Sequence, residues 1–160
     1  MSDFDAVDTS QVDDRDPKLP QNGQFVLETT ENIKWRGEHG LTYVIKAKVV
    51  ESSTHPGLVG LNHSIPISRL DAPSKQTKDR QNGKVRGYLA AILKVDPKGA
   101  VPSANLKGPN GQPLTWGAVT EMTTQESQIL RGKRFGVQTG PETKAKQSGF
   151  MYVPMTFSQA

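Results

Sequence analysis

Three histidines, no cysteine and a scatter of carboxylates are the material available for chemistry in this 160-residue chain. His39, His55 and His63 fall in a short turn, a loop and a strand-like run, without the HExxH spacing that sets two imidazoles on one helix face for zinc. The lack of cysteine removes thiolate nucleophiles, disulfides and Cys-ligated metal sites together. Gly132 and Lys133 in ILRGKRFG lack the earlier glycine and the following Ser or Thr of a phosphate-binding loop, so the run reads as a turn entering a strand. No serine stands in a Gly-x-Ser-x-Gly elbow, and no carboxylate pair suggests acid–base work. The expectation is a protein that is not an enzyme and carries no metal or cofactor.

A different chemistry has its residues in place. Binding an unpaired nucleic-acid strand needs cations spaced along a groove and aromatic faces for bases to stack on, each base worth roughly 1–3 kcal/mol. The candidates are Trp35, Arg36 and His39 around the first turn, Lys46 and Lys48 on the second strand, Arg134 on the fourth, Lys144 and Lys146 at the last hairpin tip, and Phe150 and Tyr152 on the final strand. Tyr43 and His63, by contrast, read as core or sheet residues from their alternation with Ile45 and Ile65. Lys46 and Lys48 also have a purely structural use, since lysines keep an open sheet face soluble and discourage edge pairing.

The charge distribution favours an anionic partner. Residues 1–16 carry six aspartates against Arg15 alone, a local charge of −5, which leaves 19 basic and 10 acidic side chains, or +9, on residues 17–160. A body of that sign concentrates polyanions at its surface, and the acidic leader is suited to fold over such a groove. The acidic start MSDFDAVD lacks a signal peptide's positive n-region, and no apolar run approaches the roughly 20 residues of a membrane span. A cytoplasmic location is expected, or one on a particle assembled there, with no membrane partner.

These side chains must be held by a mainly β domain. Hydrophobic residues make up 34% of the chain, below the roughly 45–50% apolar of an average globular protein, so a thin core within long loops is expected. Residues 1–20 read as an acidic polar leader and 21–160 as the folded domain. Alternation through Phe25, Leu27, Thr29 and on to Trp35 marks a first strand, and Leu41, Tyr43, Ile45, Ala47 and Val49 mark a second across a glycine-bounded turn. Leu61, His63, Ile65 and Ile67 give a third, whose Pro66 suits an edge or a bulge. Residues 69–82 read as a basic loop. Val85, Tyr88, Leu89, Ile92 and Leu93 form one helical stripe, stopped by Pro97 and Gly99. A long Pro/Gly-rich excursion follows over residues 100–117, then a short helix starting near Thr123 or Thr124, and two closing strands over 133–139 and 149–158. Five strands with a helix between the third and fourth is the order of an OB-like barrel, a partly open Greek key that binds along strands 2–3 and the 1–2 and 4–5 loops.

Taken together, GQFVLETTENIKW, LTYVIKAKVVESS with Pro56-Gly57 after it, GKVRGYLAAIL, and ILRGKRFGVQTG before FMYVPMTF make residues 20–158 resemble the OB-fold single-stranded-DNA-binding proteins encoded by tailed phages. The resemblance implies sequence-independent coating of exposed strands in phage replication or recombination, with replication or recombination proteins as further partners. Many such proteins end in an acidic tail that recruits partners and competes with DNA; this chain ends TFSQA and carries its acid at the front. The alternative reading is a virion structural protein, capsid-decorating or tail-associated, whose Pro/Gly-rich excursion would order against virion neighbours or a second copy of the chain.

Overall fold

The computed structural model describes residues 17–98, 114–145, 149 and 151–160. Period-two alternation builds β1 (Gln24–Gly37) and β2 (Gly40–Glu51), which pair antiparallel through the two-residue turn at Glu38 and His39. Gly40 takes φ +78°, a left-handed conformation that glycine adopts at little cost and that lets this hairpin close tightly. Phe25, Leu27, Tyr43, Ile45, Ala47 and Val49 turn to one face and are buried. A bulge at Thr30 interrupts the register between Thr29 and Glu31. It puts Glu31, like Glu28, on the outer face and returns Asn32 to the inner one.

After a 3-10 turn at Pro56–Leu58 comes β3 (Asn62–Ile67), an edge strand paired with β2. Helix α1 (Lys75–Leu93) starts earlier than its apolar stripe, so residues expected as loop up to 82 are helical from 75. The Ser74 hydroxyl caps it by accepting from Thr77 N–H at 3.4 Å, and Lys75 pairs with Asp79 one turn on. The helix ends at Lys94, in the left-handed conformation, before Pro97 is reached.

The second helix, α2 (Trp116–Thr123), ends where the sequence pattern places its start, because Thr115 and not Thr123 or Thr124 is the cap, accepting from Ala118 N–H at 3.1 Å. The chain finishes with β4 (Arg134–Thr139), the two-residue strands β5 (Thr143–Lys144) and β6 (Met151–Tyr152), and β7 (Met155–Gln159).

The main sheet has five antiparallel strands in the order β3-β2-β1-β4-β7, and β5 and β6 pair apart from it. Its inner face is covered by α1, whose Tyr88 ring sits edge-on to Phe135 at 4.9 Å and packs near Phe157 and Tyr43. The Tyr88 hydroxyl meets Thr29 Oγ1 at 3.0 Å and accepts from Asn32 Nδ2 at 2.9 Å, fastening the helix to both sides of the bulge. Burial pushes its ionisation up to about 12, against the opposing effect of those hydrogen bonds. Beyond the bulge the side chain of Gln128 stands in for a strand: its Oε1 accepts from Asn32 N–H at 2.7 Å and its Nε2 donates to Asn32 C=O at 2.9 Å.

The expected barrel is not closed: β3 and β7 are the two edges of an open sheet. Two features of β3 explain this. Pro66 offers no N–H, and the N–H of Ser64 donates to Pro17 C=O at 3.1 Å, so the edge that would meet β7 is already blunted. Residues 17–20 belong to this arrangement: Leu19 is a buried core residue and Pro20 C=O accepts from the Thr139 hydroxyl at 2.7 Å. Among the described residues no helix is long and apolar enough to cross a membrane.

Candidate nucleic-acid interface

The sheet has an outer face, away from α1, and the candidate cations of β2 stand on it. Lys46 lies across from Glu31 on one side and Ser64 on the other; Lys48 lies across from Glu28 and Asn62. Arg134 is across β1 from Lys48, with its Nε 3.4 Å from Glu28 Oε1. The face is therefore a patchwork of both signs, and its lysines are set against carboxylates that alternation alone half-reveals: Glu28 falls on the polar parity of β1, but Glu31 reaches the same face only through the bulge. Val44 and Thr42 on this face are buried, so its accessible polar groups start at Lys46 and continue to Lys48 and Asn62.

At one end of this face is the β1–β2 turn. Arg36 is engaged by Asp71, whose Oδ1 also accepts from Leu41 N–H at 3.0 Å. That backbone donor first, and the guanidinium second, hold the Asp71 carboxyl below its ordinary range. His39 is exposed at the tip, and its carbonyl accepts from Arg69 N–H. Trp35 is half-buried and lies against Gly37, where an added Cβ would come 2.6 Å from the ring. Its Nε1 is buried and finds no acceptor among the described residues. The turn is thus a docked corner with one exposed imidazole.

The opposite end of the sheet, past the end of β4, carries the β5–β6 ladder, in which Thr143 pairs with Tyr152 and Lys144 with Met151. Tyr152 and Met151 are 47% and 54% exposed, high for apolar side chains held on a strand. They line a cleft of about 560 Å³ between the two edge strands, walled by Ile65, Pro66 and Ile67 of β3 and by Met155 and Phe157 of β7. Lys18, Lys84 and Glu142 supply its charges. Partial burial, and then the positive charge of Arg80, lower the Lys84 ammonium from its ordinary value.

Ser64 lines the same cleft and is the cross-strand neighbour of Lys46. The geometry puts Tyr152 in the wall of this cleft, sets Lys144 beside it as the ladder partner of the lining Met151, and leaves Lys46 one strand spacing of about 4.8 Å away, across from the lining Ser64. It does not bring Arg134 there: Arg134 lines a second recess with Lys94, Lys133 and Glu51. Lys146 and Phe150 lie outside the described residues. Lys18, Ser64 and Lys84 were missed by sequence reasoning, Lys18 because it falls within the apparent leader and Lys84 because it precedes the helical stripe. No protein-family model matches the chain, and no curated protein sequence matches it.

Proposed function

We propose that this protein binds single-stranded DNA without sequence preference, along the outer face of β2 and β3 and onto the β5–β6 lip, as the phage OB-fold proteins that its motifs resemble do. The reading includes the fold: the order β3-β2-β1-β4-β7 is that of an OB-like barrel opened between its third and last strands. One observation carries it. The exposed ring of Tyr152 and the ammonium groups of Lys18 and Lys84 line one apolar-walled cleft, with Lys144 paired to the lining Met151 and Lys46 across from the lining Ser64, a combination of cations for phosphates with a face for a base. Arg36 and Arg134 contribute less, since Arg36 is paired with Asp71 at the far turn and Arg134 faces Glu28 and lines a different recess.

Charge removal at Lys46 and Lys144 tests this reading. Each phosphate deprived of its cation should make the dependence of log affinity on log salt shallower by about 0.7, the single-strand coefficient. Tyr152→Ala should weaken binding of a dT oligomer by roughly 5–150-fold, the equivalent of 1–3 kcal/mol of stacking. Variants that keep the parent affinity and salt slope would refute it.

A further inference from the structure

The cleft between β3 and β7 holds a polar group with no role yet in strand binding. Ser64 is 1% exposed, and its hydroxyl oxygen has no hydrogen-bond partner among the described residues. A buried hydroxyl left unmatched costs about 1–3 kcal/mol, and such groups are rare enough to call for an explanation. Its neighbours suggest one. The wall beside it is apolar, Tyr152 offers an exposed ring, and Lys18 and Lys84 bring positive charge, against the single carboxylate of Glu142. The volume of about 560 Å³ falls within the roughly 300–1,000 Å³ of small-molecule sites.

The edge itself selects the occupant. A peptide strand added to β3 would need donors that this edge lacks, because Pro66 has no N–H and the N–H of Ser64 is taken by Pro17. A planar heterocycle bearing a phosphate has no such need. It can present its ring to Tyr152 and Pro66, either a donor or an acceptor to the hydroxyl, and its charge to the ammonium groups.

We propose that this cleft receives one nucleotide of the bound strand, its base between Tyr152 and Pro66 with the Ser64 hydroxyl as hydrogen-bond partner, and its phosphate on Lys84. The proposal rests on the single-strand-binding reading and adds to it a pocket with a named polar contact. Because a hydroxyl both donates and accepts, the pocket tolerates any base, in keeping with binding that lacks sequence preference.

The test is a titration of full-length protein, Ser64→Ala and Lys84→Gln against a dT oligomer and against an oligomer of equal length with one run of abasic sites, at two salt concentrations. Ser64→Ala should weaken dT binding about 3–10-fold at an unchanged salt slope, and the deficit should vanish on the abasic oligomer. Lys84→Gln should weaken both oligomers and make the slope shallower by about 0.7. A urea midpoint for Ser64→Ala at or above the parent value would show that the deficit is not a folding defect, since that variant removes an unmatched buried hydroxyl. If the parent protein binds dT but both variants match it, the pocket is overturned while single-strand binding stands. An equal Ser64→Ala deficit on both oligomers overturns the base contact, and a parent protein that binds neither oligomer overturns both proposals.

Discussion

Replacing Tyr88 with Phe removes one oxygen from the middle of the structure and leaves the ring in place. The hydroxyl is the partner of two buried groups, Thr29 Oγ1 at 3.0 Å and Asn32 Nδ2 at 2.9 Å, on residues that are each 1% exposed. Water cannot take over either interaction. At about 1–3 kcal/mol for each of the two groups left unmatched, Tyr88→Phe should cost about 2–6 kcal/mol, a large share of the roughly 5–15 kcal/mol that holds a domain folded. Urea unfolding monitored by circular dichroism reads this as a lower midpoint at an unchanged slope. Adding Thr29→Val to Tyr88→Phe removes one of the stranded groups and should recover part of the loss. The same hydroxyl sets an alkaline limit. Its ionisation is pushed up to about 12 from an ordinary value near 10, so between those pH values the folded chain keeps a proton that the unfolded chain has released. Stability is therefore full below pH 10 and falls as pH rises through that window, by about 1.4 kcal/mol per unit from Tyr88. Tyr88→Phe should lose that portion of the slope and keep the portion from Tyr43, whose hydroxyl burial also raises. A Tyr88→Phe midpoint within about 0.5 kcal/mol of the parent would refute the reasoning.

Other perturbations probe the remaining supports. Gln128→Ala strands the N–H and C=O of Asn32 and should destabilise by about 2–4 kcal/mol, read in the same urea assay. Gly136→Ala would put a Cβ 2.5 Å from Ser158 Oγ and 3.3 Å from its carbonyl oxygen, so the β4–β7 pairing must shift; faster hydrogen exchange along β7 than along β2 would report it. Asp71 titrates below its ordinary range, so its hold on Leu41 persists above the ordinary carboxylate value and is lost as pH falls through the lowered one; the Leu41 amide should become progressively less protected there, and Asp71→Asn should blunt the change. Glu28→Gln removes the carboxylate that faces both Lys48 and Arg134, and a dT oligomer should then bind more tightly and with a steeper salt dependence.

The hairpin was legible because Phe25, Leu27, Tyr43, Ile45 and Val49 alternate without interruption, and each is buried as the period requires. The helical stripe from Val85 to Leu93 was legible for the same reason at a different period. The helix's first turns were not: residues 75–84 have no apolar face, and the Ser74 cap and the Lys75–Asp79 pair are signals that a loop also offers. Recurring threonines misplaced α2, since Thr115, Thr123 and Thr124 are equivalent as letters and only the buried contact of Thr123 with the Tyr43 hydroxyl at 2.7 Å tells them apart. The bulge at Thr30 sits in a wholly polar run, Thr29-Thr30-Glu31, where parity cannot register an extra residue. That hid the carboxylate facing Lys46. The cleft was hidden for a further reason: Lys18, Ser64 and Lys84 come from three distant segments, and nothing local marks them as neighbours.

A labelled dT oligomer titrated with the full-length protein at about 50 and 200 mM salt tests the central claim most directly. With Lys46, Lys144 and Lys84 each neutralising one phosphate, the slope is about 2 and affinity should fall about 20-fold between the two conditions. No binding at the lower salt, or binding that salt leaves unchanged, would contradict single-strand binding and leave the particle-structural reading in its place.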